Sequence, residues 1–140
     1  MKLTLPLPPN RANAREHHMA THRKKKAYYA KVYGVCVAAM PDGTHLTLVS
    51  SDAHGGLRPR LTLAETRRMR LDATLYVSSK MDRGNLVARL KWIEDALVNY
   101  GLLVDDNEKW LDLQMPTQVI DRKNMRVEIE LTPCVTDGTK

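Results

Sequence analysis

The chain of 140 residues contains only two cysteines, Cys36 and Cys134, and they lie far apart. That excludes a disulfide framework and any cysteine-based metal spacing. Cys36 stands in an apolar run and reads as a buried thiol. Long apolar runs are also missing, so no stretch approaches membrane-spanning length, and there is no internal repeat or low-complexity segment. Met1 leads at once into a short alternating segment with prolines, not into the apolar core of a signal peptide. The expected compartment is reducing and cytoplasmic, with no membrane partner. Acidic residues are in short supply too: 16 Asp and Glu face 22 Lys and Arg, for a net charge of +6. Such a surplus favours a polyanionic partner, usually nucleic acid. A merely solvated positive surface has the same balance.

The residues that are present suit one domain spanning residues 1–140. "KLTLPL" alternates Leu3, Leu5 and Leu7 with polar or proline positions and predicts an edge strand. The stretch from about residue 8 to residue 26 is polar, basic and rich in His and Asn, and predicts a long loop. Tyr28, Val32, Val35 and Ala39 then recur at helical spacing, and Pro41, Asp42 and Gly43 end that helix. "THLTLVS" admits a strand, and "SSDAHGGLRPR" reads as loop. Leu71, Ala73, Leu75 and Val77 alternate with Arg70, Asp72, Thr74 and Tyr76, a strand with one apolar face. A second helix is predicted from about Asn85 to Tyr100, with Leu86, Leu90, Ile93 and Leu97 as its stripe and Gly101 as its stop. "WLDLQM" admits another strand. Met125, Val127, Ile129 and Leu131 alternate with Arg126, Glu128 and Glu130 in the last one, and the tail from Pro133 reads as frayed. One-faced strands and two helices predict an α+β domain: a small mixed or antiparallel sheet with both helices packed on one face.

Arg23, Lys24, Lys25 and Lys26 stand where the first helix should begin. Exposed cations there oppose the helix macrodipole by about 0.3–1 kcal/mol each, a cost that suits contact with DNA phosphates. The competing reading is a solvated loop, and phosphate contact is the favoured one. Tyr28 lies on the apolar stripe and reads as core, not as a base-stacking ring. His18 and His22 have the i, i+4 spacing of two ligands on one helix. However, no carboxylate or cysteine near them and His17 completes a ligand set, so these histidines read as exposed or phosphate-facing.

Between Ser78 and Trp110, carboxylates bracket the second helix: Asp82 before it, Asp105 and Asp106 after it. Hard cations such as Mg²⁺ take one or two carboxylates plus water and phosphate oxygens, and phosphodiester hydrolysis uses them to activate water. The helix ends lie roughly 24 Å apart. Asp82 and Asp106 therefore meet only if the chain after Gly101 returns along the helix as a strand. Structural roles compete with each of these residues. Asp82 or Asn85 serves as an N-cap, and Asp105, Asp106 and Asn107 make a polar turn. Lys91 stands about 140° around the helix from Leu86, beside Asp95 at i+4. It is open to solvent, a partner subunit or a phosphate.

In this stretch the sequence resembles the RusA-type Holliday junction resolvases (crossover junction endodeoxyribonucleases), a family common in prophages. "DRGN", Asp82 to Asn85, is similar to the family's D-x-D-N element. "LKWIEDALVNYGLLVDDN" is similar to the family's next segment, with Lys91, Asp95-Ala96-Leu97, Gly101 and Asp105-Asp106 in step. "LPLPPN" and "VEIELTP" resemble the opening and closing strands. The resemblance implies a homodimer that binds four-way DNA junctions in bacterial or phage recombination and repair. It also implies symmetric phosphodiester cleavage with Mg²⁺ or Mn²⁺. By carry-over, Asp82 and Asp106 would bind metal, Lys91 would take the place of the family's lysine, and Arg23 to Lys26, with Asn85, would contact DNA. Gly84 departs from the pattern, which has its second aspartate there. Glu108, two residues from Asp106, or the adjacent Asp105 offers partial compensation. The alternative is a non-catalytic branched-DNA-binding protein of the same fold.

Overall fold

The computed structural model describes residues 1–9, 18–40, 45–50, 57–62 and 67–135, with side chains described outside 45–62. Nine elements lie along the described residues: β1 (Lys2–Pro6), α1 (His18–Ala39), β2 (His45–Ser50), β3 (Leu57–Thr62), β4 (Met69–Val77), α2 (Arg83–Asn99), β5 (Leu111–Leu113), β6 (Thr117–Ile120) and β7 (Arg126–Pro133). The α+β class is as expected: a five-stranded mixed sheet and two helices. Strand β4 is central. It pairs antiparallel with β7, which pairs antiparallel with β1. On its other side the first half of β4 pairs in parallel with β5 and the second half with β6. β2 and β3 form a separate antiparallel pair.

One face of the sheet carries the core. Leu71, Leu75 and Val77 of β4, Val127, Ile129 and Leu131 of β7, and Leu3 and Leu5 of β1 are buried. They join Tyr28, Val32 and Cys36 of α1 and Leu86, Leu90, Ile93 and Leu97 of α2 in one cluster. The helices meet along an aromatic seam, with Tyr28 6.0 Å from Trp92 and Tyr33 4.9 Å from Tyr100 between ring centres. Tyr28 is thus core, as its place on the stripe predicts. Its hydroxyl donates to the Pro6 carbonyl at 2.7 Å. Burial pushes the Cys36 thiol up to about 11, which makes it a poor nucleophile at neutral pH.

The other face of the sheet is polar and neutralises its own charges. Arg70 pairs with Asp72 at 2.9 Å. Arg126 lies 3.6 Å over the Tyr76 ring and bonds Glu128 and Asp121. A shallow cavity of about 420 Å³ on this face is lined by Lys2, Thr4, Asp72, Thr74, Thr117 and Glu128 among others.

The structure departs from the sequence reading in several places, among them Ala39 of the expected α1 stripe, which is exposed while Cys36 is buried in the core. First, α1 begins at His18, so residues 18–26 are helix and not loop. Lys and Ala are good helix formers and no Gly or Pro interrupts them, while Tyr28 and Lys25 anchor this turn to the rest of the fold. Second, β3 falls within a stretch read partly as loop, and includes Pro59 in a two-stranded pair that tolerates it at an edge. Third, β6 has three exposed residues out of four and no alternating pattern to announce it. Fourth, Met125 precedes β7 and is exposed, so the buried face of that strand starts at Val127. The predicted stop at Pro41 to Gly43, His17, most of the expected loop before His18 and the last five tail residues lie outside the described residues.

Helix α2 ends as predicted. Gly101 has φ 82°, and the Leu102 and Gly101 amides donate to the Leu97 and Val98 carbonyls at 2.9 and 3.1 Å. This is a Schellman stop, which needs a residue free to adopt left-handed backbone. Gly101→Ala is therefore expected to lower the unfolding free energy by about 1–2 kcal/mol. Urea denaturation monitored by circular dichroism measures this, and an unchanged midpoint would contradict it.

Candidate functional site

Helix α2 carries most of the candidate residues, and its N-terminus is capped. Asp82 is the N-cap. Its Oδ1 accepts the Asn85 amide at 2.8 Å and its Oδ2 accepts the Asn85 side-chain amide at 3.1 Å. This double hold contributes about 1 kcal/mol to the helix. It also engages both carboxylate oxygens and the Asn85 side chain. Gly84 is the second helical residue, not part of an extended segment. A Cβ built on it would meet Asp82 Oδ1 at 3.5 Å, an ordinary contact. The geometry would therefore accept an aspartate there, beside Asp82.

The loop before the cap is fixed from two sides, and the sequence reading missed both holds. Gln118 of β6 accepts the Met81 amide and donates to the Met81 carbonyl, each at 2.8 Å. Arg89 of α2 reaches the Met81 sulfur at 3.3 Å and donates to the Pro8 carbonyl at 2.6 Å. Burial lowers the pKa of Arg89. Proline has no amide hydrogen to donate, so Pro6 and Pro8 at the end of β1 are held through their carbonyls. Gln118 carries no sequence signal because the β4–β6 pairing that aims it is long-range.

After Gly101 the chain returns along α2 as a series of turns, not as a strand. It climbs only to the level of Lys91. There the Lys91 ammonium bonds both Asp106 and Asp95, the latter at 3.0 Å. The Asp106 bond raises the lysine pKa, and the Lys91 bond holds the Asp106 carboxyl below the usual range. Lys91 stands nine residues after Asp82, or about 13 Å along the axis. The structure thus brings together Lys91, Asp95 and Asp106, and leaves Asp82 a helix-half away. Asp105 is engaged in local bonds: its Oδ1 accepts the Asp106 amide at 2.8 Å and its Oδ2 the Asn107 side chain at 2.6 Å. Glu108 is exposed.

Asp95 also receives Lys25 of α1 at 3.1 Å, and Lys25 lies over the Tyr29 ring. Of the four cations singled out in the sequence, Lys25 is therefore a helix–helix contact. Arg23, Lys24 and Lys26 are exposed. Arg23 and Lys26 lie on the arc of α1 opposite Tyr28, Val32 and Cys36, Lys31 lies on its flank, and Lys24, four residues before Tyr28, lies on the Tyr28 side. No carboxylate occurs anywhere on α1. His18 and His22 share this helix and are exposed.

The residues present do not fit a divalent ion. Asp82 is committed to its cap, Asp105 to its turn, and Asp95 and Asp106 to ammonium groups. Among the described residues, no group of three or more His, Cys, Asp or Glu side chains is placed to hold a metal.

One acid beside this cluster was invisible in the sequence. Glu94 is 7% exposed, the single charged side chain in the core among the described residues. Burial pushes its carboxyl up to about 7; Lys91 pulls it down, and Asp106 and Asp95 push it further up. An unfolded glutamate ionises near 4.5, so between pH 4.5 and 7 the folded chain holds a proton the unfolded chain has released. Stability contributed by this group therefore falls as pH rises through that window. Glu94→Gln is expected to exceed the parent in stability at about pH 8 by on the order of 3 kcal/mol. The gap should close toward pH 4.5. A urea series across this range reads it, and a gap independent of pH would count against a protonated Glu94.

No family model and no curated protein matches the chain.

Proposed function

We propose that the chain is a RusA-type protein that binds four-way (Holliday) DNA junctions. It is built on the scaffold of a Mg²⁺- or Mn²⁺-dependent endodeoxyribonuclease whose acidic set is one residue short at Gly84. The observation that carries the DNA reading is the outer arc of α1. Arg23 and Lys26 are exposed there, and Lys24 and Lys31 are exposed to either side, on a helix without a single carboxylate. Like charges crowded on one helix repel, and a row of phosphates relieves that repulsion. Branched DNA is the preferred polyanion because the α2 residues resemble the resolvase pattern. As a homodimer the protein would present α1 twice across a two-fold axis, in keeping with the symmetry of a junction.

A second reading is an endonuclease that cuts junctions as it stands. It draws support from Asp82 being exposed and Asp106 being partly so. The commitments of both carboxylates weigh against it, and the non-catalytic reading is preferred.

The test pairs binding with cleavage. In EDTA, fluorescence anisotropy should show a four-way junction bound more tightly than duplex of equal length. Arg23→Gln and Lys26→Gln should each reduce the salt slope by about one. With Mg²⁺ or Mn²⁺ this chain should leave the junction intact. Equal affinity for junction and duplex would sink the branched-DNA reading. Cleavage by the unaltered chain, abolished in Asp82→Asn, would replace it with the second.

A further inference from the structure

We propose that Lys91 is the resident counter-cation of the α2 carboxylates, so that this chain holds no divalent ion at that site. The Lys91 ammonium sits between Asp95 and Asp106 and bonds both. Lys25 adds a second ammonium on Asp95. Two carboxylates therefore face two ammonium groups and neither is left uncompensated, while Asp105 beside them has both oxygens engaged by the Asp106 amide and the Asn107 side chain. Mg²⁺ and Mn²⁺ bind through carboxylates that carry net charge, and Mg²⁺ gives up its waters reluctantly. To reach Asp106, an ion would have to displace an ammonium shared by two acids. It would then find little further help. Asp82 is bonded to Asn85 through both oxygens. Position 84 carries no side chain. Glu94 lies in the core.

The same geometry says what would create an ion site. Without the Lys91 ammonium, Asp95 Oδ1 and Asp106 Oδ2 would remain aimed at one point, and because Lys25 still holds only Asp95 the pair would carry one net negative charge. Carboxylate oxygens with net negative charge around a vacated position are what a divalent cation requires. The inference rests on reading these acids as the resolvase-type site. Its test contains no DNA, so its failure and a failure of junction binding are told apart.

The experiment titrates Mn²⁺ into the full chain and follows free Mn²⁺ by electron paramagnetic resonance. The parent is compared with Lys91→Met, Lys91→Gln and Lys91→Arg. The expected result is no saturable binding by the parent or Lys91→Arg, and saturable binding by Lys91→Met and Lys91→Gln, at least about tenfold stronger. Asp106→Asn on top of Lys91→Gln should remove it. Lys91 is more than half exposed, so these variants should fold, and circular dichroism checks that they do. Saturable binding by the parent, lost in Asp106→Asn, would overturn the proposal. So would Lys91→Met and Lys91→Gln variants that fold and bind Mn²⁺ no better than the parent.

Discussion

The pairing of β4 on both of its edges sets the rest of the structure. Its antiparallel partner β7 and its parallel partners β5 and β6 leave it no free edge along most of its length. Parallel partners cannot be joined by a tight turn; they need a crossover, and a helix is the usual one. That crossover is α2. Its first turn must therefore lie near the end of β4, and the chain beyond Gly101 must travel back to the start of β4 before β5 can begin. Asp82 belongs to the first end and Asp106 to the return. Their separation arises from the topology of the sheet and not from any local preference of the acids.

The return path explains why Lys91 has the partners it has. Leu102 and Leu103 are buried immediately after the Schellman stop, which turns the chain back across α2 instead of away from it. Asp106 then arrives beside Lys91, on the flank of the helix that also bears Glu94. Glu94 is buried three residues along the helix from Lys91, and Lys91 neutralises Asp106 on the same side. A buried charge is either paired or given up: Glu94 keeps its proton up to about pH 7, whereas the partly exposed Asp106 is paired with Lys91.

The parts of the fold that were legible in the sequence are those with a period. Leu71 to Val77 and Val127 to Leu131 alternate, and Leu86 to Leu97 repeat at helical spacing, because each buries one face against one core. The start of α1 was not legible. His18 to Lys26 has no apolar stripe, and such polarity reads as loop, although lysine and alanine are comfortable in a helix and Tyr28 is the first residue to reveal its buried side. β6 was hidden for a related reason: with Thr117, Val119 and Ile120 exposed, its existence depends on hydrogen bonds to β4 and not on its own residues. In the candidate site, the cap role of Asp82 and the i+4 relation of Lys91 to Asp95 could be read locally. The Lys91–Asp106 bond, the Gln118 hold on Met81 and the burial of Glu94 could not, since each joins segments distant in the chain. Glu94 is especially opaque, because one position to the side of Ile93 separates a solvated acid from a buried one.

On the resolvase reading, Gly84 shows how a site can lose a ligand without disturbing its scaffold. Asp82 has a structural duty: its two bonds to Asn85 start α2, and removing them would fray the helix. Position 84 has no such duty. It is already helical, its backbone needs no positive φ, and a Cβ there meets nothing closer than Asp82 Oδ1 at 3.5 Å. A side chain at 84 would therefore be kept by chemistry alone, whereas the one at 82 is kept by folding as well. On that reading the fold requires the cap at 82 and is indifferent to a side chain at 84. The same logic covers the far side of the helix. Lys91 is held by Asp95 and Asp106 through the fold itself, so an ion pair of the folded protein can outlast any reaction that those residues would serve.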